Sequence, residues 1–156
     1  MIYIGADHGG YKLKEQLKKF LSKQGAGKDN GQKLEFKDLG ASKYKDGDDY
    51  PDYAARVAKQ VSTNPLANLG ILICRSGQGV CIVANKFKGV RAALVWNELE
   101  AKMSRNDDMS NILCLPSDYI NSKIAERIVK AWLETPFSTE QRHMRRVKKI
   151  SALENN

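Results

Sequence analysis

No stretch of this chain is apolar for long enough to span a bilayer, which leaves it without a candidate transmembrane helix. Its first residues, "MIYIGADHGG", reach Asp7 before a secretory apolar core could form, so no signal peptide is expected and the chain reads as cytoplasmic. Cysteine is scarce. Cys74, Cys81 and Cys114 are odd in number, lie in or beside apolar stretches and follow no regular framework, which argues against a disulfide scaffold and suits reduced thiols. Two histidines leave little room for a histidine-rich metal site, and neither a metal nor a cofactor is expected. Internal repeats and domain-sized linkers are missing, as are the basic, aromatic-interleaved signatures of RNA-binding modules.

What is present suits one domain over 1–156: 156 residues, 42% of them hydrophobic, can bury most of their apolar surface without staples. Residues 139–156 read as a basic C-terminal helix or tail. The 26 lysines and arginines outnumber 18 acidic residues, for a net charge of +8 and a pI near 9.4, so an anionic partner is expected. Lysines are spread over helix faces and loops while arginines concentrate in "QRHMRRVKK". That distribution fits a phosphorylated metabolite; nucleic acid and membrane are not expected partners.

Strand-like and helix-like patterns alternate. "IYIGA" precedes Leu13, Leu17, Phe20 and Leu21 at helical spacing, and "KLEFKDLG" alternates as a strand does. Two loops, "QGAGKDNGQ" and "KYKDGDDYP", surround that strand; a helix follows with Ala54, Val57, Ala58 and Val61. "LGILIC", "RAALVW" and "NILCL" are near-continuous apolar runs, as strands buried on both faces require. Helical patterns fall at about 79–87, 97–106 and 121–133, the last with Ile124, Ala125, Ile128, Val129, Trp132 and Leu133 on one stripe. Five strand-then-helix units predict an α/β three-layer sandwich around a five-stranded parallel sheet. Such sheets bind ligands at the carboxyl ends of their strands where the order reverses, commonly between strands one and three. The loops there are "DHGG" and "CRSGQG".

The second of these is the richest turn in the chain, since "ILICRSGQGV" runs from a buried strand into a thiol, a cation and a serine among glycines. Familiar phosphate loops fail on spacing. A cysteine phosphatase loop needs an arginine six residues beyond its cysteine, where this chain has Val80, and a P-loop needs Gly-Lys-Ser/Thr. "GADHGGYK" is not a dinucleotide fingerprint, because a charged pair occupies its centre. There remains a glycine-rich turn whose backbone amides, at a helix start, could hold an anion.

"GADHGGYKLK", "DYPDYA", "GILICRSGQG", "ANKFKGVRAAL", "SRNDDMSN", "AWLETPF" and "RHMRRV" together resemble ribose-5-phosphate isomerase type B and its relatives acting on galactose and allose 6-phosphates. The resemblance covers nearly the whole chain in order. It implies a flavodoxin-like (Rossmann-like) fold, a metal-free aldose–ketose isomerase of ribose 5-phosphate, and a homodimer or dimer of dimers with sites shared between subunits.

Moving a carbonyl between C1 and C2 needs a base for a carbon-bound proton and stabilisation of the enediolate oxygen. Cys74, between strand and helix, is the candidate base, in keeping with the branch of the family that uses the matching cysteine; another branch uses a glutamate where Val80 stands. Ser76, with the amides of Gly77 and Gly79, is the candidate anion hole. Cys81 and Cys114 read as packing residues. Asp7 and His8 match the family's pair at the sugar ring, although Asp7 also reads as a helix cap. Tyr50 resembles a residue lining the sugar pocket, and Asn85 one that orients the glycine loop. Arg142 and Arg146, one helical turn apart, match arginines that grip the phosphate; a solvated basic helix end is the alternative.

Three positions depart from the family. Asp107 stands where a histidine is credited with ring opening, with Asp108 next to it assigned to the substrate pocket; Asp118 stands where an arginine often joins the phosphate grip. Arg75 replaces the glycine after the cysteine, and either restores the lost cation, favours the thiolate or obstructs the pocket. These departures keep two alternatives open: an isomerase of another sugar phosphate, such as allose or galactose 6-phosphate, and a noncatalytic sugar-phosphate-binding subunit of a heteromer.

Overall fold

A computed structural model describes residues 1–24 and 34–155 of the chain. The glycine-rich connection expected after the first helix lies, beyond Gln24, outside the described residues. In chain order the elements are β1 (Ile2–Ala6), α1 (His8–Gln24), β2 (Phe36–Asp38), α2 (Tyr50–Thr63), β3 (Leu69–Cys74), α3 (Gln78–Ala84), β4 (Ala92–Leu94), α4 (Glu98–Asn106), β5 (Ile112–Pro116), α5 (Ser122–Glu134) and α6 (Gln141–Ala152), followed by a single 3₁₀ turn at Leu153–Asn155. No helix among the described residues is long and apolar enough to cross a membrane.

All four strand pairs are parallel, in the order β2-β1-β3-β5-β4. Strands one and three are neighbours, as the alternation predicts. The far side of the sheet differs from a simple succession, because β5 sits beside β3 and β4 takes the edge. Burial explains the exchange: all five residues of β5 are buried, whereas "RAALVW", expected to be a strand covered on both faces, pairs only over Ala92–Leu94 and is half-buried. Two alanines offer less apolar surface than an Ile-Leu-Cys-Leu run, so the richer strand takes the interior place.

Right-handed crossovers require α1 and α4 on one face and α2 and α3 on the other. The packing agrees, with α5 against α1 and α4, and α2 against α3. Alternate residues of β3 serve the two cores: Ile71 and Ile73 face α1, α4 and α5, while Leu72 and Cys74 face α2 and α3. Trp132 closes the first core, fully buried, and its indole N–H donates to Ser110 Oγ at 2.8 Å.

Among the described residues one charged side chain is fully buried. Lys14 of α1 has no exposed surface; its Nζ donates to Asp38 Oδ2 at 2.6 Å and Glu15 Oε1 at 2.8 Å, and Lys18 bonds the same two carboxylates. Burial pushes the Asp38 carboxyl up, but the bonds from Lys14 and Lys18 outweigh it and hold Asp38 below the usual carboxylate range. The network ties the three-residue edge strand β2 to α1. Lys14→Met, which keeps the volume, is expected to cost about 3 kcal/mol, the low end for a broken buried pair, because Asp38 keeps Lys18. A depressed carboxylate contributes stability above its unfolded value of about 3.9 and loses it as pH falls through the lower folded value. The penalty in urea denaturation should therefore shrink in acid; an unchanged midpoint at neutral pH would show that the network holds nothing.

Candidate active site

In a parallel sheet every strand-to-helix turn lies at the carboxyl edge and every helix-to-strand turn at the opposite edge. Adjacent strands β1 and β3 thus bring "DHGG" and "CRSGQG" together. Close approach needs glycine: a Cβ on Gly10 would stand 2.4 Å from the Ile73 carbonyl oxygen. Ser117, just past β5, lies with its Oγ 2.9 Å from the Gly9 oxygen and 3.2 Å from the Cys74 oxygen, joining three strand ends.

Cys74 ends β3 at 5% exposure. Its Sγ accepts the Gly77 amide hydrogen at 3.2 Å. Gly77 makes that return with φ +72°, and a Cβ there would meet Leu94 Cδ1 at 2.5 Å. This corrects one expectation: the Gly77 amide is turned to the thiol sulfur and is not free for a ligand. Among the described residues the Gly79 amide has no hydrogen-bond partner, and the half-exposed Ser76 hydroxyl accepts only a long bond from the Gln78 amide, 3.4 Å. Tyr50 opens α2 and lies over this loop, since a Cβ on Gly79 would stand 2.5 Å from its Cζ.

Asp7 caps α1, its Oδ1 accepting the Gly10 amide hydrogen at 3.0 Å. Burial raises its carboxyl above the usual range, partly countered by the Gly10 amide. His8 Nδ1 lies 2.9 Å from Asp48 Oδ1, and this hydrogen bond raises the imidazole. Arg75 is exposed, its stem lying across the "DHGG" turn, where a Cβ on Gly9 would meet Arg75 Cγ at 2.6 Å. A cleft of about 320 Å³ opens beside the loop between Ser76, Gln78, Leu94, Trp96, Pro116 and Tyr119. Asp118 lines a separate one with Gly9, Lys12 and Gln16.

The remaining candidates lie at the opposite edge. Asn85 ends α3, seven residues from the glycine loop's helix start, and pairs both ways with Ala92: its Nδ2 donates to the Ala92 oxygen and its Oδ1 accepts the Ala92 amide, each at 2.9 Å. It thus docks edge strand β4 rather than orienting the glycine loop, another correction. Asp107 caps the end of α4, 3.5 Å from buried His143 Nδ1. Exposed Asp108 lines a groove of about 860 Å³ with Lys86, Arg91 and Ile150. Arg142 and Arg146 are exposed on α6, Arg142 Nε being 2.7 Å from Glu140 Oε2. One chain therefore brings together Asp7, His8, Tyr50, Cys74, Arg75, Ser76, Gly77 and Gly79, and holds Asn85, Asp107, Asp108, Arg142 and Arg146 apart from them.

Four further residues stand at the carboxyl edge, outside the motifs that mark the site in sequence: Ser117, Trp96, Tyr119 and Asp48. Trp96 and Tyr119 are exposed aromatics just beyond the ends of β4 and β5, a placement that marks them in retrospect. The cysteines passed over as packing residues do pack: Cys114 is fully buried and Cys81 half-buried, in the core under α2 and α3.

A parallel α/β sheet whose carboxyl edge carries a nearly buried thiol, a carboxylate–histidine pair and a glycine turn is a small-molecule site equipped to move protons. The chain belongs to the ribose/galactose isomerase family, whose model matches residues 2–150. It is 42% identical over 153 residues to the "Probable ribose-5-phosphate isomerase B" of Mycoplasma pneumoniae, covering 98% of this chain and 94% of that one. It also resembles the crystal structure of ribose-5-phosphate isomerase B from Mycoplasma genitalium with bound ribulose 5-phosphate. There the TM-score is 0.91 and the identity 39%, over 99% of this chain and 96% of that one. The enzyme of the same name from Clostridium thermocellum has a TM-score of 0.88 at 39% identity, over 99% and 97% of the two chains.

Proposed function

We propose that this protein interconverts ribose 5-phosphate and ribulose 5-phosphate through an enediolate. The observation that carries the reading is the fit, over almost the whole chain, to an isomerase solved with ribulose 5-phosphate bound. In this reading Cys74 takes the proton from the carbon next to the carbonyl and returns it to the neighbouring carbon. Ser76 and the Gly79 amide face the developing oxyanion, while Asp7, His8 and Tyr50 hold the sugar. Arg142 and Arg146 grip the phosphate, with Asp107, Asp108 and Asn85 on the same side.

Because these two sets lie at opposite edges of one chain, the working site combines the carboxyl edge of one copy with the amino edge of a second, in a homodimer. Exposed Ile82, Trp96, Leu99 and Met103, on α3, α4 and the segment between β4 and α4, supply apolar surface for that contact. The three unpaired cysteines suit a reducing cytoplasm.

Proton NMR of the purified protein with ribose 5-phosphate in deuterated water tests the reading. Ribulose 5-phosphate should appear, with loss of carbon-bound hydrogen to solvent at the carbons that exchange the proton. Turnover of a six-carbon phosphate alone would move the chain to another branch of its family. Binding without turnover would make it a sugar-phosphate-binding subunit.

A further inference from the structure

The loop "KYKDGDDYP" carries a residue with more bonds to the site than a surface turn needs. Asp48 Oδ1 accepts both the His8 backbone N–H, at 2.7 Å, and the His8 Nδ1 hydrogen, at 2.9 Å. The Asp48 carbonyl oxygen stands 3.2 Å from the same Nδ1. The other carboxylate oxygen, Oδ2, accepts the Tyr53 hydroxyl hydrogen at 2.8 Å. The Asp48 side chain is 5% exposed and that of His8 23%. Arg56 lies over the Tyr53 ring, 5.3 Å from its centroid.

The geometry points to Asp48 as the positioning residue for His8, with Tyr53 holding Asp48 in place. Both groups within reach of Nδ1 are acceptors, so Nδ1 carries a hydrogen whenever these bonds are made. The neutral imidazole is thereby held in the tautomer with its lone pair on Nε2, the ring nitrogen that bonds to no described residue. Anchoring of the His8 backbone by the same carboxylate fixes where α1 begins, and so where the ring stands. A carboxylate that orients a histidine through Nδ1 also supports the imidazolium when Nε2 takes a proton. Asp48 thus decides which nitrogen meets the substrate and the pH at which it is charged.

The charged and titratable groups around His8 agree. Asp48 and Asp7 raise its imidazole, the Asp48 hydrogen bond most. Burial pushes Asp48 up, but the His8 amide, the Tyr53 hydroxyl and the imidazole outweigh it and hold the carboxyl low. Tyr53 is raised chiefly by its bond to Asp48, with Arg56 lowering it and Asp52 raising it.

This inference rests on the isomerase reading for the use of His8, but its first readout does not. His8 and His143 are the only histidines, so nitrogen-15 NMR of the free protein can follow each ring. His8 should show protonated Nδ1 and unprotonated Nε2 when neutral. In Asp48→Asn the amide can turn its NH₂ toward Nδ1, so that tautomer preference should weaken and His8 should titrate at lower pH. The limb of the pH–rate profile belonging to His8 should move the same way, with kcat down roughly 10- to 100-fold, as for other supporting partners of functional histidines. Tyr53→Phe leaves Asp48 its charge but removes the hydrogen bond that fixes its carboxylate, so Asp48 can turn away from Nδ1 and the tautomer preference should weaken by a smaller amount; it serves as the test if Asp48→Asn does not fold. An unaltered tautomer and titration in the variant tested would overturn the proposal, even if activity fell. A shifted titration in a protein inactive on every sugar phosphate would uphold the positioning and reject the isomerase reading.

Discussion

Cys74→Ala should lower kcat by roughly 10³-fold, within the range for loss of a positioned general base, and should leave the fold and the affinity for a sugar phosphate nearly intact. The carbon-bound proton of an aldose phosphate is weakly acidic, and no other side chain that could accept it stands on the glycine turn of β3. The sulfur also receives the Gly77 amide hydrogen, which fixes its position at the start of the turn. Alanine removes one buried sulfur from the α2–α3 core, which costs stability modestly because the site is small. Solvent exchange of the substrate's carbon-bound hydrogen is the decisive measurement, as it reports proton removal before product forms. Exchange at the unmodified rate in the variant would remove Cys74 from the base role. Cys81→Ala serves as control, since that side chain bonds to the Ala92 oxygen in β4 and faces the core.

Arg142→Ala should raise KM for the sugar phosphate about 10- to 100-fold while changing kcat much less. Each charged hydrogen bond to a phosphate is worth about 1.5–3 kcal/mol, and ground state and transition state hold the phosphate alike. Among the described residues Arg142 is exposed and pairs with Glu140, two residues before it, so its loss should not disturb the core. An unchanged KM would place the phosphate elsewhere. The same variant tests the shared site. A mixture of Cys74→Ala and Arg142→Ala chains can form mixed dimers with one site built from the two intact halves, recovering up to about a quarter of the unmodified activity at random pairing. No recovery would mean that both residues of a working site come from one chain.

Much of this molecule is legible from its residues in order. The apolar runs of β1, β3 and β5 needed helices on both faces, and the stripes of α1, α2 and α5 supplied them. The turns "DHGG" and "CRSGQG" followed strands one and three, so their meeting at the carboxyl edge required only parallel topology. Asp7 as a cap was likewise readable, because a carboxylate before a helix finds free amides nearby.

Other features depend on contacts distant in sequence. Asn85 reads as a site residue by resemblance, yet its bonds go to Ala92, seven positions away, across a turn that local pattern does not specify. Asp48 reads as one of several acidic turn residues, and only the folded loop places it against His8, forty positions earlier. Lys14 looks like solvent-facing charge on an amphipathic helix until β2 brings Asp38 to it. The alternation, the parallel sheet and the chemistry of the two richest turns are written in the order of the residues, because periodicity and turn composition are local. The place of β4 at the edge, the turning of the Gly77 amide to sulfur and the separation of the arginines from the thiol arise on folding. Those follow from burial and from hydrogen-bond partners that the chain meets only once folded.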